Sequence, residues 1–113
     1  MAESHKQTIE QLMQTINAHH VNHLDKTLDD NAVKTVNSKT VYTNIQEARE
    51  YYTMYHEASP SARWELVNYQ QDNQNNNKGQ GTVAHNNHTY NTTYTFSSSG
   101  KIQKIDAHLQ QQD

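Results

Sequence analysis

The sequence predicts an α+β domain in which helices cover one face of an antiparallel sheet. Helical apolar spacing occupies the first half of the chain and alternation the second, and a run of helices followed by a run of strands defines that class. The clearest strand is His88–Phe96, HTYNTTYTF. Side chains alternate across a strand, so His88, Tyr90, Thr92, Tyr94 and Phe96 share an aromatic face, while Thr89, Asn91, Thr93 and Thr95 share an uncharged polar one. The aromatic face carries hydroxyls and an imidazole, which makes it the expected wall of a cavity.

The first helix is expected over residues 6–18. Ser4 with Gln7 has the pattern of a capping box, and Ile9, Leu12, Met13 and Ile16 follow at helical spacing. His19 and His20 mark a bend, after which Val21, Leu24 and Leu28 keep helical spacing through a short second helix. Residues 32–36 and 40–43 are β-prone and are expected as edge pieces. Asn44 with Glu47 opens a third helix, whose stripe is Ile45, Ala48, Tyr52 and Tyr55, with Tyr51 and Met54 beside it. Ser59 and Pro60 stop it. Strands are then expected over 62–71, 79–85, 88–96 and 101–110, joined by the Asn-rich run 72–79, a two-residue turn at Asn86-Asn87, and residues 97–100. On the first of these strands Ala62, Trp64 and Leu66 should face inward, opposite Arg63 and Glu65.

Composition narrows the function classes. A chain of 113 residues makes one domain, 1–113, with a single core. Only 32% of residues are hydrophobic and mean hydropathy is -1.14, yet a net charge of -3 is too small to keep the chain expanded. A pI near 6.2 without a basic cluster speaks against a nucleic-acid partner. The absence of cysteine excludes disulfides, thiolate metal sites and thiol catalysis. MAESHKQT lacks the apolar core of a signal peptide, and no apolar run reaches membrane-spanning length. The expectation is a soluble cytoplasmic protein without a membrane partner, its residues 1–5 flexible.

Three stretches carry a resemblance to a known family. These are Asn17-Ala18 with DDNAV (residues 29–33), NIQEAREYY (44–52) and SGKIQKIDAHL (99–109). In this order and spacing the chain resembles the nuclear transport factor 2-like superfamily, in its SnoaL-like and ketosteroid isomerase-like branch. The resemblance implies a cone-shaped fold, with a curved antiparallel sheet around about three helices, an internal cavity, and dimerisation through the outer face of the sheet. It implies no intact catalytic set. The isomerase tyrosine position falls on Leu12, the base position on Val36 and the late-strand acid position on Thr92. Neither Leu12 nor Val36 can exchange a proton, and Thr92 offers only a neutral hydroxyl. By the same resemblance Thr92 faces the cavity, which agrees with the alternation and brings Tyr90 and Tyr94 with it. Ile105, Ala107 and Leu109 would face inward, Asp106 and His108 outward, and Tyr52 would stand near the pocket.

Other constellations have bland competitors. His19, His20 and His23 have a spacing that places imidazoles on one helical face for a metal, but no carboxylate accompanies them, and an exposed turn is the favoured reading. His85 and His88 flank the expected turn and would oppose each other on the pocket-side face, as a metal, acid–base or pH-sensing pair against a solvated rim pair. Asp25, Asp29 and Asp30 fit a solvated face.

The expected pocket residues are Leu12, Val36, Tyr52, Tyr55, Trp64, Leu66, His88, Tyr90, Thr92, Tyr94, Ile105 and Ala107. No metal and no cofactor are expected. The leading function is binding of a hydrophobic small molecule in an apolar to mildly polar cavity. An isomerase, cyclase or dehydratase using His88, Thr92 and tyrosine hydroxyls is the second reading, and a non-catalytic homodimerisation or interaction module the third.

Overall fold

Helix α1 runs Ala2–Asn17 and buries Ile9, Leu12, Met13 and Ile16, the stripe that its spacing sets. The computed structural model describes residues 2–75, 77–85 and 88–110, with side chains from His5 onward. The helix starts ahead of Ser4, so the expected capping box does not mark its first turn. His5 stacks on Phe96 with ring centroids 3.9 Å apart and pins the N-terminal turn to the sheet. At the other end His19 takes a left-handed φ of 63°. Its N–H donates to the Ile16 carbonyl and that of His20 to the Thr15 carbonyl, the paired bonds of a Schellman stop.

Past this bend the expected second helix is a single 3-10 segment, Val21–Lys26, which buries Leu24. Leu28 opens strand β1, Leu28–Val36, instead of continuing the helix. Asn37 and Ser38, with φ of 51° and 70°, make a two-residue turn into β2, Lys39–Tyr42. Positive φ at both positions matches the right-handed twist of a hairpin. Helix α2, Ile45–Ala58, begins where the sequence indicates. The Asn44 side chain accepts the Glu47 N–H, and the Glu47 carboxylate accepts from the Thr43 N–H and hydroxyl.

Strands β3 (Trp64–Gln71), β4 (Lys78–His85), β5 (His88–Phe96) and β6 (Ile102–Leu109) complete a six-stranded, unclosed sheet ordered β2-β1-β6-β5-β4-β3. One pairing corrects the all-antiparallel expectation: β1 and β6 run parallel, matching Val36 with Ala107. Nor is β1 an edge piece, since the edges are β2 and β3. The Asn86-Asn87 turn lies outside the described residues; its flanks pair as His85 with His88.

Two devices curve the sheet over the helices. Gly79 and Gly81 stand on the inner face of β4, where Tyr69 occupies the place of a Gly79 side chain and Leu66 crowds Gly81. Glycine in a strand permits such close approach. A bulge between Leu66 and Asn68 then resets the alternation of β3, turning Tyr69 inward and leaving Val67 exposed. Trp64 and Ala62 are buried, and Arg63 and Glu65 exposed. Leu109, expected inward, is exposed, because it lies beyond the last β1 partner of β6. The Asn17 side chain clamps the edge strand, donating to the Trp64 carbonyl and accepting the Trp64 N–H, both at 2.8 Å.

Candidate ligand-binding cavity

The concave face of the sheet and the two helices enclose a cavity of about 60 Å³. Leu12, Met13 and Ile16 of α1 form its apolar roof, and Tyr51, Tyr52 and Tyr55 of α2 one wall. The sheet supplies Lys34, Val36, Trp64, Val83 and His85, then Tyr90, Thr92 and Tyr94 of β5, with Ile105 and Ala107 of β6 between. Half-buried Tyr51, Tyr55 and Tyr90 stand at its open end.

Two expected residues are elsewhere. His88 is exposed as the first residue of β5, so it sits outside although its cross-strand partner His85 is inside. Leu66 lies against Gly81, in a shallow depression between α1 and the β3 edge. Conversely, Met13, Ile16, Lys34, Tyr51 and Val83 line the cavity without being expected there, and His85, expected on the pocket-side face, lines it too. For Lys34 the signal was present, because Ala32, Lys34 and Val36 share one face at period two.

Lys34 is only 8% exposed. Its Nζ lies 3.5 Å from the Tyr52 hydroxyl and over the faces of Tyr51 and Tyr52, 5.7 and 5.5 Å from their centroids. Burial pushes its pKa down to about 8. The Tyr52 hydroxyl also meets that of Tyr42 at 3.2 Å. Burial raises Tyr42, Tyr52 and Tyr94 above the usual phenol range and pushes Tyr51 up to about 12. These four phenols are therefore neutral hydrogen-bonding groups at pH 7.

His85 stacks on the Trp64 indole at 3.9 Å. Its Nδ1 lies 3.1 Å from the Arg63 carbonyl and its Nε2 2.8 Å from the Tyr55 hydroxyl. A carbonyl only accepts, so Nδ1 carries the proton, and in the neutral ring Nε2 accepts from Tyr55. Burial lowers the pKa of His85; the bond to the Arg63 carbonyl opposes that shift, and the charges of Lys34, His88 and His56 add to it. The Thr92 hydroxyl is buried and finds no hydrogen-bond partner among the described residues.

The other histidines do not converge. His19 stacks on His56 with centroids 3.7 Å apart, while His20 and His23 meet at 5.5 Å. The left-handed turn at His19 splits the motif. Among the described residues no three His, Asp or Glu side chains are grouped to hold a metal. Asp25 and Asp30 are exposed and Asp29 half-buried, all outside the cavity. The lining thus combines one amine, neutral hydroxyls, an imidazole and apolar walls, and among the described residues it contains no carboxylate.

Two helices and a 3-10 segment against a strongly curved, open sheet superpose on solved structures along nearly the whole chain. A SnoaL-like protein of unknown function from Burkholderia thailandensis matches with a TM-score of 0.83 at 11% identity, over 98% of each chain. The protein has a SnoaL-like fold of the nuclear transport factor 2 type. A SnoaL-like polyketide cyclase from Agrobacterium tumefaciens matches this chain with a TM-score of 0.75 at 13% identity, over 95% of this chain and 91% of that one. A de novo designed protein with a curved β-sheet also matches, at 0.73 and 17% identity over 97% and 88%. The likeness is therefore one of architecture. No protein-family model matches the chain, and no curated protein does. Among the described residues no helix is long and apolar enough to cross a membrane.

Proposed function

We propose that this SnoaL-like domain binds a small, largely hydrophobic molecule with one polar end. The carrying observation is the Thr92 hydroxyl, buried without a partner among the described residues on the wall of a largely apolar and aromatic cavity. Such a group costs about 1–3 kcal/mol, which a ligand hydrogen bond would offset. A cavity of 60 Å³ at about 10–15 Å³ per water-sized position admits a ligand of a few heavy atoms with the side chains at rest. A larger one needs Tyr55 and Tyr90 to swing at the open end. The test is a screen of small fragments by protein NMR. Binding should shift the resonances of Tyr90, Thr92 and Tyr94, and Thr92→Val should weaken fragments that hydrogen-bond there. A screen in which no fragment moves these signals sinks the reading.

A second reading is an isomerase, cyclase or dehydratase, supported by the fold shared with the polyketide cyclase. His88 is too exposed to serve it. The His85–Tyr55 hydrogen bond is then the proton-handling pair, beside Thr92 and Lys34. We also propose a homodimer through the charge-free outer row of Thr89, Asn91, Thr93 and Thr95, since depletion of charge marks interfaces. Sedimentation showing only monomer at high concentration would remove it.

A further inference from the structure

Lys34 is enclosed in a cavity that no carboxylate lines among the described residues. From β2 and α2 it faces the phenols of Tyr42, Tyr51, Tyr52 and Tyr55; from β4 and β5 it faces His85, Tyr90 and Tyr94. Helix α1 and β6 add only apolar side chains to the lining. The nearby acid of the sheet, Asp106, points outward, where its carboxylate accepts from the Thr35 hydroxyl at 2.7 Å. An ammonium removed from water without a paired anion is unfavourable, and tyrosine faces compensate it only in part. Across the cavity floor stands the Thr92 hydroxyl, which has no hydrogen-bond partner among the described residues. One strand separates β1 from β5, so the two backbones are roughly 10 Å apart. On the intervening strand Lys34 pairs with Ile105 and Thr92 with Ala107, so the two stand on one face two residues out of line.

We propose that the cavity selects small organic anions, namely carboxylates with a short apolar body, held by the Lys34 ammonium and the Thr92 hydroxyl. This rests on the small-molecule-binding reading and specifies the class of ligand. The aromatic walls take the apolar body. A bound carboxylate stabilises the protonated amine, so binding draws a proton onto Lys34. Because the free amine titrates at about 8, binding at pH 8 should take up about half a proton per ligand. Affinity should then decline as pH rises past that value.

The probes are butyrate and benzoate, against butanamide and benzamide, which have nearly the same shape without the charge. Calorimetry at pH 8 in two buffers of different ionisation enthalpy measures the proton uptake on the unaltered protein. Carboxylates should bind more tightly than the amides and show the uptake, and Lys34→Met should weaken them about tenfold or more and should remove most of their advantage over the amides. Circular dichroism checks that the variant is folded, and the calorimetry on the parent stands without it. Amides that bind as well as carboxylates, or carboxylates that bind without proton uptake, overturn the anion inference and leave the binding domain intact. If neither series binds, both fall.

Discussion

Lys34 is the residue on which sequence and structure diverge most usefully. A lysine in a β-prone segment is ordinarily solvated, and nothing in its own chemistry announces burial. Alternation did announce it: Ala32 is fully buried and Val36 lines the cavity, so the residue between them on that face had to point inward. The same alternation made Tyr90, Thr92 and Tyr94 legible, because the aromatic face of β5 is continuous. His88 belongs to that face by parity but lies at the strand's end, which parity cannot register. The buried amine should shape the pH dependence of stability. Its pKa is about 8 in the fold against 10.5 in the unfolded chain, so between those values the unfolded chain holds a proton that the native state has released. Stability should therefore rise with pH, by about 2 kcal/mol from pH 7 to 9.5. Above about pH 10 the raised phenols of Tyr42, Tyr52 and Tyr94 reverse the trend, because the unfolded chain then loses protons first. Urea titrations between about pH 7 and 9.5 should show the rise in the parent and a flat profile in Lys34→Met.

Among the elements, those with strong local chemistry were legible. Asn44 and Glu47 start α2, and Ser59-Pro60 end it, because capping and proline sterics act within a few residues. Elsewhere spacing misled. Leu24 and Leu28 are four apart, as in a helix, yet they belong to a 3-10 segment and the strand after it. The Asn37-Ser38 turn also went unread, since serine is a weak signal for positive φ. That position is open to improvement. A side chain in the left-handed region costs roughly 1–2 kcal/mol, and glycine avoids most of it at some entropic expense. Ser38→Gly should raise stability by about 0.5–1 kcal/mol, read as a higher urea midpoint with an unchanged slope. His19, also left-handed, should gain less from glycine, because its ring stacks on His56. Equal gains at both sites would show that the stack contributes nothing.

At the scale of the molecule, the helix-then-strand order correctly indicated α+β, but the parallel pairing of β1 with β6 left no trace in the sequence. Partners about seventy residues apart, such as Val36 and Ala107, share no local pattern. The closing contact of the sheet is thus its least predictable. The open space under that sheet also has a mechanical consequence. A packed interior resists compression, whereas the volume change of unfolding scales with the internal void that unfolding eliminates, here the space beneath the sheet. Hydrostatic pressure should therefore unfold this protein, and Trp64, the single tryptophan, lines the cavity and would report the event by its fluorescence. Ala107→Leu, which adds bulk to the floor, should move the transition to higher pressure. A transition at the same pressure in both proteins would mean that the lost volume lies somewhere other than beneath the sheet.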